Sequence, residues 1–255
     1  MTTLHFKPYL MHPDQHPCIS RFALNSLLDK VREHKLLVLR GFHALTRDEL
    51  LDYCQQQAKL LHWDFGPVME MQVATQPKNY LFTEGDVPLH WDGAFHQEPQ
   101  FLLFHCIQAP LANSGGETLF VNTEKMWQDA SAKQQKEWGE YTLNFVTEKL
   151  AHYGGNIQRP LVSQHPQSQH PILRFAEPVG ENYLNPVNVQ VRDRCLNQSA
   201  QILKKLSQIA RQPAYRYEHV WQKGDFLLAD NFSLLHGRNA FKRHSPRHLR
   251  RIQIL

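Results

Sequence analysis

Long apolar runs and paired cysteines are both missing from this chain of 255 residues. No run approaches the ~18 apolar residues that a membrane-spanning helix needs, and the first ten residues do not resemble a secretory signal. The four cysteines, Cys18, Cys54, Cys106 and Cys195, are scattered without a CxxC pair, which argues against a disulfide framework. We therefore expect a cytoplasmic protein with reduced thiols and no membrane partner.

The chain also lacks a strong charge of either sign, since 28 basic and 24 acidic side chains leave a net charge of +4. So modest an excess gives little support to nucleic-acid binding. Much of the basic charge nevertheless lies late in the chain, at Arg238, Lys242, Arg243, Arg247, Arg250 and Arg251. A nucleic-acid patch is one interpretation of this cluster. A site for small carboxylates is the interpretation that we favour.

Strand-like segments occur along the whole length, so we expect residues 1–255 to form one domain around a single core. Across 63–121, short apolar segments alternate with Pro, Gly and Asp turns, as in an all-β sandwich or barrel. Strands are predicted at 35–40, 101–107, 142–146, 172–175, 215–221, 226–229 and 249–255, helices at 20–33, 46–61, 122–138 and 192–211, and a loop at 154–170. The predicted fold is mainly β with flanking helices, most simply a double-stranded β-helix, or jelly roll.

A histidine and an aspartate lie two positions apart in the segment LHWDG at 89–93. In an extended strand, residues i and i+2 point to the same face, so His90 and Asp92 can share one ion. His236 directly follows another predicted strand with its turn, and it supplies a second imidazole. Two histidines and one carboxylate on one face of an octahedron leave three positions open, which is the arrangement of non-haem iron(II) oxygenases.

A His-x-Asp pair is a weak signal by itself, because the chain contains 16 histidines. His62 and Asp64 form a second such pair, but they lie at a predicted helix end, where residues i and i+2 do not face alike. His105 and His152 are compatible with structural roles, and His165 lies in the predicted loop. The sequence therefore favours the pair that includes His90.

A 2-oxo acid that chelates the iron needs a cation for its far carboxylate. Arginine suits this role because its planar fork binds a carboxylate through two hydrogen bonds. Arg247 leads into the closing strand, which we expect beside the strand of His236, and Arg251 lies four positions further on the same face. Arg251 could hold a second anion, such as a substrate carboxylate, and the Thr118 hydroxyl could add a hydrogen bond to 2-oxoglutarate. The structural alternative is a solvated basic edge strand.

Taken together, these motifs resemble the taurine dioxygenase (TauD/TfdA-like) family. The resemblance covers about 35–255 and rests on HWD at 90–92, GGET at 115–118, WQKGDFLLADN at 221–231, HGR at 236–238, and the pair Arg247 and Arg251. It implies a jelly-roll core, iron(II) held by His90, Asp92 and His236, and 2-oxoglutarate held by Thr118 and Arg247. Arg251 matches the position that meets the acidic group of the substrate in the taurine enzyme.

A closer resemblance is to the PvcB-like branch of that family, the oxygenases of isonitrile biosynthesis. It is carried by VPLHWDG at 87–93, FHC at 104–106, ILRFAEP at 172–178, LNP at 184–186 and PRHLRR at 246–251. Such enzymes remove hydrogen, and often the carboxylate as CO2, from an isonitrile made from tyrosine, and leave a vinyl isonitrile. The resemblance implies a tyrosine-isonitrile-like substrate, with O2 and 2-oxoglutarate as co-substrates.

An aryl substrate would need an apolar, aromatic pocket with few polar groups. Tyr80, Phe82, Phe95 and Phe104 flank the metal motifs and are candidates for its wall, although for any single one a place in the core of the sandwich is the interpretation that we favour. Two other functions stay open beside the isonitrile reaction. One is 2-oxoglutarate-dependent hydroxylation of another small acid, such as a sulfonate or an amino acid. The other is a non-catalytic jelly-roll binding protein. Self-association into a homo-oligomer is compatible with either.

Overall fold

The computed structural model describes residues 5–77, 79–148, 155–179 and 183–255. Strands within these ranges are β1 (Tyr9–Met11), β2 (Leu36–Leu39), β3 (Val68–Met71), β4 (Val87–His90), β5 (Phe101–Gln108), β6 (Thr118–Asn122), β7 (Thr142–Val146), β8 (Asn156–Pro160), β9 (Val162–Gln164), β10 (Pro171–Leu173), β11 (Asn188–Val191), β12 (Arg216–His219), β13 (Phe226–Asp230), β14 (Leu234–Arg238) and β15 (His248–Ile254). The α-helices are α1 (Leu24–His34), α2 (Arg47–Gln55), α3 (Thr123–Gln128), α4 (Ala132–Gly139) and α5 (Leu196–Ala210). Within the described ranges, no helix is long and apolar enough to cross a membrane.

Two β-sheets pack face to face and form the predicted jelly roll. The larger sheet has the strand order β1-β2-β13-β5-β15-β3, and the smaller has the order β12-β6-β14-β4. Their inner faces share one buried cluster, in which Phe104 of β5 and Leu227 of β13 meet Phe120 of β6 and Leu234 of β14. This cluster closes one end of the space between the sheets.

The outer face of the larger sheet is covered by helices α1 and α2. Helix α1 buries Leu24, Leu27, Leu28 and Val31, whose spacing of three and four residues forms one apolar stripe. Phe101 and Leu103 of β5 pack on the same side, while Leu102 and Phe104 of that strand face the smaller sheet. Because both faces of β5 are covered, its sequence is apolar at consecutive positions rather than at alternate ones.

The outer face of the smaller sheet is covered by helix α5 and by a third sheet. Leu119 and Leu235 of the smaller sheet share a buried cluster with Leu203 and Leu206 of α5. The third sheet, in the order β11-β7-β8, contributes Phe145 to the same cluster. The smaller sheet is therefore enclosed on both sides, and the ends of its strands are the places where a site can open.

Three predicted elements differ from the structure. The helix expected over 122–138 is divided into α3 and α4, because Ser131 caps a new helix through a capping box with Gln134. The loop expected over 154–170 contains strands β8 and β9, since β8 pairs with β7, and β9 pairs with β10. Residue 154 itself lies outside the described residues. The helix predicted over 46–61 begins as expected, as α2 with the Thr46–Glu49 capping box in place, but it ends at Gln55.

Candidate metal centre and adjoining cavity

Three side chains from distant parts of the chain meet at one end of the smaller sheet. His90 ends β4, Asp92 follows in the next turn, and His236 lies in β14 directly opposite His90. Nε2 of His90 and Nε2 of His236 each lie 3.7 Å from Oδ1 of Asp92. One potential ligand atom from each residue lies within 4.8 Å of the other two, and no other group of this kind occurs in the described part of the chain.

The two imidazoles suit a divalent metal ion. His90 places Nδ1 2.8 Å from the carbonyl oxygen of Pro88, so Nδ1 carries the proton and Nε2 keeps a free lone pair. Nε2 of His236 is buried without any hydrogen-bond partner, a condition that a bound metal would relieve. Burial and the neighbouring His90 lower the pKa of His236 to about 3, and burial also lowers the pKa of His90. Both rings are therefore neutral near pH 7, the form that binds metals.

The Asp92 carboxylate is held so that only one oxygen faces the histidines. Its Oδ2 atom accepts a hydrogen bond from Nε2 of Gln253 at 2.6 Å and forms an ion pair with Nη1 of Arg251 at 2.8 Å. Burial alone would raise the pKa of Asp92, but Arg251 and the two histidines lower it below its usual value. The carboxylate is thus ionised, with Oδ1 available to a metal.

One asparagine side chain fixes the backbone around Asp92. Oδ1 of Asn231 accepts a hydrogen bond from the Asp92 N–H at 3.0 Å, and its Nδ2 donates to the carbonyl oxygens of Asp92 and Pro99, both at 2.9 Å. Asn231 lies in the turn between β13 and β14, the strand that carries His236. The same turn therefore places two of the candidate ligands.

Glycine at position 237 allows the strands of the two histidines to approach each other. A Cβ atom built at Gly237 would lie 2.6 Å from the carbonyl oxygen of Val87 in β4, well inside contact distance. The pairing of β14 with β4 is also irregular between His236 and Arg238. Steric contact with β4 therefore explains why the central residue of the HGR motif is glycine.

A second polar site lies further along the smaller sheet, around Arg247. The Arg247 guanidinium donates from Nε to the Gly116 carbonyl oxygen at 3.0 Å and from Nη2 to Oγ1 of Thr118 at 3.3 Å. Within the described residues no acidic side chain forms an ion pair with Arg247. Burial and the nearby Arg238 lower its pKa to about 9, as expected for a buried cation without a counter-ion.

Thr118 connects this site to the candidate metal centre. It lies two residues before Phe120 in β6, and Phe120 is paired with His236. Residues two apart on a strand share a face and are separated by ~7 Å, so Thr118 and His236 point into the same space between the sheets. Oγ1 of Thr118 accepts from both Arg247 and Nε1 of Trp221, which leaves its hydroxyl proton free to donate.

Arg251 is engaged differently from the prediction of an open anion site. Its Nη1 atom forms the ion pair with Asp92, and Nη2 lies 3.3 Å from Sδ of Met69. Nε of Arg251 is buried without a partner. Arg251 thus forms its ion pair with a candidate metal ligand. Its side chain also lines the cavity described next.

A cavity of about 330 Å³ opens beside His90 and Asp92. Its walls are largely apolar and include aromatic side chains from Trp63, Phe65, Tyr80, Phe82, Phe95 and Phe145. Three of the four predicted wall residues, Tyr80, Phe82 and Phe95, line it. Phe104 does not line it, because β5 directs this ring into the cluster between the sheets, against Phe120 and Trp221.

Arg238 holds one wall of the cavity in place, a role that sequence reasoning did not assign to it. The buried guanidinium donates to three backbone carbonyl oxygens, those of Leu81, Thr83 and Gly85. These oxygens belong to the segment 80–85, of which residues 80–82 line the cavity. Arg238 lies two residues after His236 on the same strand. The HGR motif contributed to the family resemblance, but no sequence signal indicated the partners of its arginine.

The other histidines considered from the sequence lie elsewhere. His62 is exposed and, like Asp64, stands outside the cluster of candidate ligands. The His105 ring is fully buried and stacked on Phe226, and His165 contacts Asp230 through Nε2 at 3.0 Å. His152 lies outside the described residues. Asn231 and Gln253 were missed, although Gln253 lies two residues after Arg251, a spacing that places both on one face of a strand.

Comparison with known proteins agrees with this geometry. The sequence profile described as "Taurine catabolism dioxygenase TauD, TfdA family" matches residues 20–253. A 3-((Z)-2-isocyanoethenyl)-1H-indole synthase of Fischerella ambigua is 44% identical over 253 residues, which cover 98% of this chain and 93% of that protein. A tyrosine isonitrile desaturase of Pseudomonas aeruginosa is 36% identical over 228 residues, with 88% and 78% covered.

Solved structures show the same relationship. PvcB from Pseudomonas aeruginosa superposes with a TM-score of 0.81 at 32% identity, over 98% of this chain and 87% of that one. A second structure of PvcB, described as an Fe, alpha-ketoglutarate dependent oxygenase from an isonitrile synthetic pathway, gives a TM-score of 0.79 with the same coverage. A taurine dioxygenase from Burkholderia xenovorans, at 16% identity and a TM-score of 0.71, covers 98% of this chain and 87% of that one and shares the fold.

Proposed function

The chain belongs to the TauD/TfdA family of dioxygenases, and on that basis we propose that it converts an isonitrile of an aromatic amino acid into a vinyl isonitrile. It is an oxygenase that uses iron(II) and 2-oxoglutarate. The observation that carries the proposal is the opening of the His90–Asp92–His236 cluster into an aromatic cavity.

In this proposal His90 Nε2, Asp92 Oδ1 and His236 Nε2 hold the iron. When bound there, iron with 2-oxoglutarate and O2 supplies the oxidant that takes hydrogen from the substrate, while 2-oxoglutarate becomes succinate and CO2. The protein contributes a fixed ligand triangle, since Asn231 holds the Asp92 backbone and Gly237 allows β14 to approach β4. The buried His236 atom without a partner supports this assignment.

Arg247 and Thr118 would bind the far carboxylate of 2-oxoglutarate. Arg247 is a buried cation with no acidic partner among the described residues, so an incoming carboxylate restores its charge balance. The free proton of the Thr118 hydroxyl offers one more hydrogen bond to the same group. Because Thr118 shares a face with His236, one molecule of 2-oxoglutarate can reach both the metal and Arg247.

The aromatic ring of the substrate would occupy the cavity, where Trp63, Tyr80 and Phe95 offer apolar surfaces. Arg251 faces the same cavity, and we propose that it meets the substrate carboxylate. Removal of a benzylic hydrogen, with the carboxylate leaving as CO2, then forms a carbon–carbon double bond next to the isonitrile. The names of the two relatives include both an indole and a tyrosine derivative, so the test of the proposal uses both rings.

Small molecules, rather than nucleic acid, are the proposed partners of the late arginines. Arg238, Arg247 and Arg251 are buried, and Arg250 forms an ion pair with Glu70 at 3.1 Å. These residues therefore do not make the exposed basic stripe that binding to a phosphate backbone needs. The cytoplasm is the proposed location, supported by the four unpaired cysteines.

The proposal is tested by anaerobic titration of the apoprotein with iron(II) and 2-oxoglutarate, followed by turnover with tyrosine isonitrile and with tryptophan isonitrile. We expect a visible charge-transfer band, lost in Asp92→Ala and retained in the matched control Asp64→Ala, which changes the other His-x-Asp pair. Mass spectrometry should then find a vinyl isonitrile without the carboxylate. A folded protein that gives no band would overturn the metal site, and a hydroxylated product would overturn the desaturation.

A further inference from the structure

A chain of hydrogen bonds runs from the Asp92 carboxylate to the wall of the cavity. Nε2 of Gln253 donates to Oδ2 of Asp92 at 2.6 Å, and Oε1 of Gln253 accepts from Nε1 of Trp63, also at 2.6 Å. The Gln253 side chain is buried, and the Trp63 ring lines the cavity. Two short hydrogen bonds thus join the candidate ligand to an aromatic residue of the pocket.

The direction of this chain is set by Trp63. An indole N–H can only donate, so the Gln253 atom beside it must be the carbonyl oxygen. The amide NH2 group of Gln253 must then face Asp92, where it donates to Oδ2. Without the indole donor, the amide could turn its carbonyl oxygen toward the carboxylate, and two acceptors would then face each other.

Backbone contacts hold the participants in this arrangement. The N–H of Leu61 donates to the backbone carbonyl oxygen of Gln253 at 2.9 Å, which attaches the segment before Trp63 to strand β15. Arg251 and Gln253 lie two residues apart on β15 and share its inner face, so both reach Oδ2 of Asp92. The Trp63 ring is stacked on Phe65, with centroids 6.3 Å apart, and meets the edge of His96.

We propose that Gln253 and Trp63 are positioning residues of the metal centre, which keep Oδ2 of Asp92 occupied so that Oδ1 alone faces the two histidines. The carboxylate then binds metal through one oxygen and leaves room for the co-substrate. Arg251 forms an ion pair with the same oxygen at 2.8 Å, and the amide of Gln253 adds the hydrogen bond to it. This inference rests on the proposed metal centre.

The experiment measures cobalt(II) binding to the apoprotein, by calorimetry and by the visible absorption of the bound ion, without turnover. Trp63→Phe keeps an aromatic wall and removes the donor, whereas Gln253→Met keeps the length of the side chain and removes both hydrogen bonds. We expect each to weaken cobalt(II) binding by about tenfold, as is common for groups that orient a ligand. The absorption spectrum should also change as the second carboxylate oxygen becomes available.

The double variant Trp63→Phe with Gln253→Met tests whether the two residues act through one hydrogen-bond chain or independently. Because Trp63 acts through Gln253, the double variant should bind cobalt(II) no more weakly than Gln253→Met alone. Trp138→Phe, the same substitution at a buried tryptophan of another cluster, is the matched control and should bind as the wild type does. The KM of Trp63→Phe for the aryl substrate should stay within about twofold, since the aromatic wall remains.

Different outcomes identify different failures. If Asp92→Ala binds cobalt(II) as tightly as the wild type, the metal centre itself is wrong. If Asp92→Ala loses binding while Trp63→Phe and Gln253→Met keep the wild-type affinity and spectrum, the metal centre stands and the positioning role is overturned. Additive losses in the double variant would also overturn the chain, because they would show that Trp63 does not act through Gln253.

Discussion

His90 and His236 are direct cross-strand neighbours, and the centroids of their rings lie 4.3 Å apart. The two residues are far apart in the sequence, but strand pairing makes their separation a property of the backbone. A ligand pair set in this way does not depend on the ordering of a loop. A substitution that disturbs the pairing of these strands should therefore lower both the free energy of unfolding and the affinity for the metal.

Gly237→Ala is the most direct change to this pairing. A methyl group there would lie 2.6 Å from the Val87 carbonyl oxygen, so β14 and β4 must separate. We expect a loss of about 2 kcal/mol in the free energy of unfolding, as for other overpacked sites, together with weaker iron(II) binding. Urea unfolding and metal titration measure the two effects. Gly139→Ala, where nothing lies within 4 Å, is the control and should not destabilise the protein. Equal behaviour of both variants would contradict the steric role of Gly237.

Arg247→Lys should weaken binding of 2-oxoglutarate by at least about tenfold, because lysine keeps the charge but cannot form two parallel hydrogen bonds with a carboxylate. The charge-transfer band, titrated with 2-oxoglutarate at saturating iron(II), gives the dissociation constant. Arg243→Lys, at an exposed position four residues earlier, should leave it unchanged. An unchanged constant in Arg247→Lys would place the co-substrate carboxylate elsewhere.

Arg238→Met should affect the aryl substrate more than the co-substrate. The substitution removes the donors to the carbonyl oxygens of Leu81, Thr83 and Gly85, which leaves the wall segment 80–85 without its anchor. We expect the KM for the isonitrile to rise several-fold and the unfolding free energy to fall by about 2 kcal/mol. Steady-state kinetics and urea unfolding test this, with Arg216→Met as a control. A wild-type KM would show that the segment keeps its place without Arg238.

Asp225 should make the stability of the protein sensitive to acid. Burial alone would raise its pKa, but hydrogen bonds from Arg40 and His219 lower it from 3.8 to about 2. A lowered pKa stabilises the folded state fully above pH 4, and this contribution is lost as the pH falls toward 2. The shift corresponds to about 2 kcal/mol.

Comparison of Asp225→Asn with the wild type checks this value. The difference between their unfolding free energies should be about 2 kcal/mol at pH 7 and should become smaller at pH 3. Asp29→Asn, at an exposed residue paired with Arg32 on helix α1, is the control and should cost much less. A difference for Asp225→Asn that does not change between the two pH values would contradict the linkage.

The fold could be predicted from the sequence because local patterns and global architecture agree. Apolar strands separated by turns indicated a jelly roll, and the spacing of Leu24, Leu27, Leu28 and Val31 indicated helix α1. Strands β8 and β9 were missed because their segment is rich in Gln, His and Pro and is exposed along much of its length. Pairing with the neighbouring strands β7 and β10 holds β8 and β9, and such pairing leaves little trace in the composition of the segment itself.

The pair of His90 and Asp92 was predicted from its spacing within one segment. That rule assumed an extended strand, whereas His90 ends β4 and Asp92 lies in the turn that follows. The partner of Arg251 could not be predicted, because its contact with Asp92 joins β15 to a turn that is distant in the sequence. Trp63 lies inside the His62–Asp64 motif, which was ranked below the pair that includes His90. The hydrogen bond from Trp63 to Gln253 forms only in the folded chain, so no pattern in the sequence indicated it.

The cavity and the cluster of candidate ligands are built from different parts of the molecule. Sheet strands and the Asn231 turn hold the ligands, whereas much of the cavity wall comes from the segments 79–82, 93–96, 176–179 and 185–187 between strands. Substitutions in these segments can therefore reshape the pocket for another aryl ring while the reactive centre keeps its geometry. The residues that select the substrate can therefore be changed separately from those proposed to hold the metal. Arg238 and Trp63 are the two residues that should stay unchanged in any redesigned pocket.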